Sequence, residues 1–373
     1  MGQRRRWQRP LRSLRVAVAA LTLAACGTVR TEPSAPAASA ADIKAIDRLC
    51  AIYGRPGVPG AAIGVIRHGR LAFTRSYGLA DLESGARVTE RTNFRLASLS
   101  KAFTATAVML LVNDGRLALD ERVRDLIPDF PAYGRDIRVR HLLQHTSGLR
   151  AYEDFVPETS TRQLKDRDVV ALLRRTDALM FPPGSAFRYN DSNYALLAVV
   201  VEVVSGQGFA RFLHERVLAP LGMTASVVWE PGVSEVANRA FGYGPTRRGG
   251  FGLADHTSTS TVLGDGGVYS SVHDLAAWDR GLDEATLLGP RVQPLMWTPG
   301  SLDDGTPTRY GLGWFLDRTE HGLRASHRGE SSGFTHAIVK DLDRGVTVIL
   351  LTNRRGGAPD RIAAAVAALP SFR

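Results

Sequence analysis

The chain has 373 residues, 44% of them hydrophobic and 23% charged. That is the composition of an ordinary folded protein with room for a large core, and the length allows one to three domains. The formal net charge of +10 suggests a polyanionic partner, but Arg4, Arg5, Arg6, Arg9, Arg12 and Arg15 lie in an expected leader, and about +4 remains without them. The other arginines are scattered and no aromatic-interleaved motif accompanies them, which argues against nucleic acid. Two cysteines, Cys26 and Cys50, provide neither a disulfide framework nor a structural zinc set.

In chain order, residues 1–25 read as a signal peptide: an arginine-rich start, then Val16 to Ala25, apolar or small except at Thr22 and too short to span a bilayer. Leu23-Ala24-Ala25-Cys26 is similar to a bacterial lipobox, which implies cleavage before Cys26 and its lipidation. Residues 26–41, with Pro33, Pro36 and many Ala and Ser, read as a flexible tether. An exported, membrane-anchored lipoprotein on the periplasmic face or cell surface follows as the expectation. No later apolar stretch reaches transmembrane length, so the anchor would be the lipid alone.

The folded body is expected over 42–373. A helix is predicted from Asp42 to Tyr53, with Cys50 as a small apolar packing residue, and a β-hairpin from Ala61–Ile66 and Leu71–Tyr77 about the turn His68-Gly69-Arg70. From Ser98 to Val112 the chain is apolar on nearly every side and stops at Asn113-Asp114-Gly115, the pattern of a central buried helix. Between about 115 and 260 a mostly helical lobe is expected, punctuated at Phe181-Pro182-Pro183-Gly184 and Pro220-Leu221-Gly222. Strand patterns return at Tyr310–Asp317, Phe334–Lys340 and Val346–Thr352, before a closing helix from Pro359 to Leu369. If early and late strands share one sheet, the fold class is α+β: an antiparallel sheet flanked by helices, with a helical second lobe and a cleft between the two.

Only four lysines occur, Lys44, Lys101, Lys165 and Lys340, against 43 arginines. Lys101 follows Ser98 by three residues at a helix start, where positions i and i+3 are neighbours. Its amine can therefore take or hold the Ser98 proton, burial is expected to lower its pKa, and the helix start offers free N–H groups to an oxyanion. A Ser-x-x-Lys match by itself is common; its surroundings give it weight.

Phe94-Arg95-Leu96-Ala97-Ser98-Leu99-Ser100-Lys101 resembles the nucleophile motif of the serine β-lactamase superfamily, which includes class C β-lactamases, D-alanyl-D-alanine carboxypeptidases and related esterases. His141-Leu142-Leu143-Gln144-His145-Thr146-Ser147-Gly148-Leu149 resembles its hallmark structural segment. Gly266-Gly267-Val268-Tyr269-Ser270-Ser271, Tyr310-Gly311-Leu312-Gly313-Trp314 and Leu351-Thr352-Asn353 follow in the expected order. The likeness covers nearly all of 42–353 and implies a β-lactamase/transpeptidase-like fold and a cofactor-free, metal-free serine hydrolase that works through an acyl-enzyme. Its substrates would be small-molecule or peptide esters and amides.

The resemblance implies roles for further residues. Tyr189-Asn190-Asp191 stands at the Tyr-x-Asn motif, making Tyr189 the candidate base, its phenolate stabilised by Lys101. Asp191 departs from the usual Asn; ionised, it cannot donate to a substrate carbonyl, and it favours a charged Lys101. His327-Arg328-Gly329 takes the place of Lys-Thr-Gly on the strand lining the cleft. The backbone N–H groups of Ser98 and Glu330 would form the oxyanion hole, Gly329 would admit the substrate, and Arg328 would grip a carboxylate if it points inward. These departures favour an esterase or carboxypeptidase-like enzyme over a true class C β-lactamase. A non-catalytic surface binding module of the same fold is the other alternative. Gly329-Glu330-Ser331-Ser332-Gly333 also matches an α/β-hydrolase elbow, but that fold needs an acid and then a histidine downstream, and His336, the sole later histidine, comes before any suitable spacing. His141 and His145 have a metal-binding spacing without the Glu of a zinc protease at 142, and are expected to cap or pack the adjoining turn.

Overall fold

The computed structural model describes residues 38–372 except 129 and 158. Cys26 and the leader lie outside the described residues. Helix α1, Ala40–Leu49, starts where Ser39 Oγ accepts from the Asp42 N–H, and Asp42 in turn accepts from the Ser371 N–H at 2.9 Å, tying this helix to the last turn of the chain. The expected single helix to Tyr53 is broken at Cys50, after which Ala51–Tyr53 is a 3₁₀ turn. Cys50 is fully buried, and burial pushes its thiol up to about 12, as suits a packing residue.

Six strands form one sheet: β1 Ala61–Arg67, β2 Arg70–Tyr77, β3 Phe315–Thr319, β4 Gly322–Ser331, β5 Phe334–Asp341 and β6 Val346–Thr352. They are ordered β2-β1-β6-β5-β4-β3, with every neighbour antiparallel. The hairpin pairs with the last strand in the register Ala61 to Thr352, so early and late segments share the sheet as expected. Period-2 alternation sends Ile63, Val65, Val348 and Leu350 toward α1 and the closing helix α5, Pro359–Ala367. Ala62, Ile66, Ile349 and Leu351 face the main core with helix α4, Val272–Asp283. Both faces are covered, and β6 is buried at every position.

The central helix α2, Ser100–Asn113, is buried from Ser100 through Leu111 and packs against α3, Asp191–Ser205, while Phe103 stacks on Trp278 at 4.1 Å. The stretch expected to be helical contains α3, Asp166–Leu173 and Phe209–Leu213, but it also carries strand segments. Val227–Val228 pairs with Val268–Ser270, which pairs with Phe94–Arg95, and Tyr243–Pro245 pairs with Phe251–Leu253. Strands of two or three residues are too short to leave a periodic signal. The β4 strand has no apolar alternation either; the Tyr310–Asp317 pattern anticipated only its neighbour β3, which starts at Phe315.

Candidate active site

The Phe94–Arg95 strand delivers the chain to Ala97, whose φ of +50° is in the left-handed region a non-glycine residue seldom occupies. Ser98 lies on the 3₁₀ turn Ala97–Leu99 that leads into α2, and not on the α-helix itself. The correction strengthens the expected contact, because a three-residue repeat eclipses i and i+3. Lys101 Nζ donates to Ser98 Oγ at 3.0 Å.

Lys101 is fully enclosed. Its Nζ also donates to the Asp265 carbonyl at 3.0 Å and forms an ion pair with Asp191 Oδ1 at 2.7 Å. Burial opposes the charge, as anticipated, but the Asp191 carboxylate above all outweighs it and raises the Lys101 pKa. The expectation of a lowered pKa and an accessible neutral amine is thus overturned for the resting site, while the expectation that Asp191 favours the cation holds. Reciprocally, burial resists ionisation of Asp191, but the Lys101 charge and hydrogen bond hold its carboxyl below the usual range.

Tyr189 immediately precedes the α3 N-cap, Asn190, whose side chain accepts from the Ser192 N–H and donates to the Leu149 carbonyl. Its ring lies 5.2 Å from Lys101 Nζ, and its buried hydroxyl makes no formed hydrogen bond among the described residues. Burial pushes the phenol up to about 12, and Lys101, acting in the opposite direction, offsets only part of that. Resting Tyr189 is therefore a phenol, and the anticipated lowering of its pKa is not realised.

On β4, alternation turns His327 inward and Arg328 outward. His327 is buried, bonds the Tyr310 hydroxyl at 3.0 Å through Nε2 and is held neutral, burial and then Lys101 lowering its pKa to about 4. Arg328 is half-exposed and pairs with Glu330 at 3.3 Å, so the inward-pointing cation proposed for substrate carboxylates is not there. Gly329 has a reason to be glycine besides the one expected. A Cβ there would lie 2.2 Å from the Leu96 carbonyl oxygen and 3.3 Å from Leu99 Cγ, so the missing side chain lets β4 approach the segment carrying Ser98. Glu330 and Ser98 line the same hollow, of about 70 Å³. A larger cavity of about 750 Å³ lies past His327, between Phe187, Pro307 and Phe315, and does not reach Ser98.

Two residues not anticipated complete the hollow. Glu153 and Asp265 bring carboxyl oxygens within 4.8 Å of each other and of Asp191. Burial, then the Asp191 charge, pushes Glu153 up to about 8. The same two causes raise Asp265 well above the carboxylate range, and Tyr152 donates to it at 2.9 Å. These three carboxyls are the acidic group that could hold a cation, and such a cation would compete with Lys101 for Asp191. The only hint in the sequence is adjacency: Glu153 follows the His141–Leu149 segment and Asp265 precedes the Gly266–Ser271 segment. Ser331, the decoy nucleophile, ends β4 at a hairpin to β5 and not at a strand-to-helix elbow. His141 Nδ1 accepts from the Arg138 N–H, so it caps the start of its own helix, Val139–Leu143, and not the turn that follows it.

A family model described as Beta-lactamase matches residues 44–370. The chain is 30% identical over 300 residues to Penicillin-binding protein 4* of Bacillus subtilis, covering 77% of this chain and 66% of that one. It is 27% identical to a D-aminopeptidase of Cereibacter sphaeroides, covering 85% and 61%. It thus spans somewhat less than two thirds of the length of these curated relatives. Among solved structures, the octameric penicillin-binding protein homologue from Pyrococcus abyssi superposes with a TM-score of 0.75 at 26% identity, over 88% of this chain and 76% of that one.

Proposed function

The chain belongs to the Beta-lactamase family, and from that premise we propose that it is a serine hydrolase forming an acyl-enzyme on Ser98 with esters or amides whose acyl half carries a free amine. The observation that carries the reading is the chain of contacts from Ser98 Oγ to Lys101 Nζ to Asp191, with the Tyr189 hydroxyl unpartnered beside it. Ser98 Oγ attacks the substrate carbonyl; its proton passes through Tyr189 and Lys101, with Asp191 as the carboxylate that holds the surplus, and reaches the departing oxygen or nitrogen as that bond breaks. The N–H groups of Ser98 and Glu330 receive the oxyanion. Water then attacks the acyl carbon, and the proton it loses returns to Ser98 as the acid departs.

The substrate class rests on charge. Glu153 and Asp265, protonated at rest, can ionise against an arriving ammonium, while Arg328 faces solvent, which suits an amine and not the carboxylate of a β-lactam. The D-aminopeptidase likeness supports the same class. D-alanine p-nitroanilide and short p-nitrophenyl esters are expected to turn over with higher kcat/KM than nitrocefin, and N-acetylation of the anilide should lower kcat/KM at least about 10-fold, the worth of one charge-assisted contact. Nitrocefin outrunning every ester and anilide would contradict the reading.

We also propose export and lipid anchoring at Cys26, supported by the arginine-rich start and Leu23–Cys26. Cys26→Ala is then expected to move the protein from the membrane fraction to the soluble one.

A further inference from the structure

His145 carries two unfavourable features at once. Its φ is +56°, in the left-handed region, although it is neither glycine nor exposed. Its Nε2 is buried without a partner among the described residues. The tautomer follows from the contacts: the Asn190 N–H can only donate, and it points to His145 Nδ1 at 3.2 Å, so Nδ1 is the acceptor and the ring proton is on Nε2. Asn193 Nδ2 reaches the same nitrogen at 3.0 Å, oriented by Ser147, which donates to Asn193 Oδ1 at 2.6 Å.

The His145 ring also lies 4.7 Å from that of Tyr310 and 5.1 Å from that of Tyr194, but three further contacts bear on Tyr189. The His145 carbonyl accepts from the Arg188 N–H at 2.9 Å, while Nδ1 accepts from the Asn190 N–H, so a single residue grips the backbone on both sides of Tyr189. The imidazole also lies against the Tyr189 ring, centroids 4.3 Å apart at 36°. A left-handed φ is what allows one residue to present carbonyl, Nδ1 and ring face to the same short segment.

We infer that His145 is a positioning residue for Tyr189, fixing its backbone and ring so that the hydroxyl stands over Ser98 and Lys101. This rests on the reading of Tyr189 as the base, and a double-mutant cycle separates the two. His145→Ala is expected to lower kcat for a short p-nitrophenyl ester by about 10- to 100-fold, as misplacement of a catalytic group does, with KM within about 2-fold. His145→Asn, which tolerates the left-handed φ and keeps an acceptor near Nδ1, should recover part of the loss. In a Tyr189→Phe background, where the ring remains and the hydroxyl is gone, His145→Ala should cost less than about 2-fold more. Equal losses in both backgrounds, or a loss confined to KM, would overturn the inference while leaving the base intact. Full activity of Tyr189→Phe alone would remove the base and the inference together. If the Ala variant does not fold, the cycle run with Asn decides by the same rule.

Discussion

Two of the four lysines are buried with carboxylates, and the contrast between them separates a reactive site from a structural one. Lys340, on β5, gives its donors to Asp279 at 2.9 Å, Asp283 at 2.5 Å and Thr347 at 3.4 Å, and Thr347 donates to Asp279 in turn. Every partner there is a settled acceptor or donor between sheet and α4. Lys101 is equally saturated, but one of its acceptors is the Ser98 hydroxyl, a carboxylate partner opens a third of its side chain to the hollow, and an unpartnered phenol stands alongside. Burial of an ion pair therefore does not distinguish the two; the Ser98 hydroxyl and the Tyr189 phenol beside Lys101 do.

The contrast breaks most visibly on exchanging each lysine for a shape-matched apolar residue. Lys101→Met is expected to lower kcat by more than about 10³-fold, the scale of losing a member of a catalytic unit. Lys340→Met should instead cost about 3–5 kcal/mol of stability by stranding buried Asp279, with kcat per folded molecule within about 2-fold. Steady-state kinetics and urea melts on both variants give the comparison, and matching behaviour would abolish it. Next in size, Gly329→Ala pushes β4 away from Leu96. About 1–3 kcal/mol of stability and roughly 10- to 100-fold in kcat should go together, since the same approach that packs the strand positions Ser98.

A smaller effect concerns Glu153, whose pKa of about 8 lies above its ordinary 4.5. Between those values the folded state keeps a proton that the unfolded chain has released, so this group costs stability as pH rises through the window. Glu153→Gln cannot titrate, and its stability relative to the parent should grow from pH 5 to pH 8 by about 1 kcal/mol, modest because the side chain is half-exposed. The same variant should raise KM for D-alanine p-nitroanilide more than for an uncharged ester. Urea midpoints at the two pH values and the paired KM values test both parts.

The parts of this fold legible in the sequence are those in which local pattern and tertiary role agree. The hairpin Ala61–Tyr77 alternates about an obvious turn, and α2 is apolar all round because it is buried all round. The Ser98–Lys101 contact follows from a spacing that either helix type brings together. What could not be read depends on contacts distant in sequence. Whether Arg328 points in or out is decided by β4 register, Gly329 is explained by the Leu96 carbonyl above it, and the pKa values of Lys101 and Tyr189 turn on burial and on the ion pair of Lys101 with Asp191. His145 read as a turn residue because nothing in its own segment announces Tyr189.

The central claim is that Ser98, activated in this enclosure, carries the covalent intermediate. Peptide mapping by mass spectrometry after reaction with a fluorophosphonate tests it most directly. A single adduct on the peptide containing Ser98, absent from Ser98→Ala and strongly slowed in Lys101→Met, is the expected result. An adduct on Ser331, or labelling that survives Ser98→Ala, would contradict it.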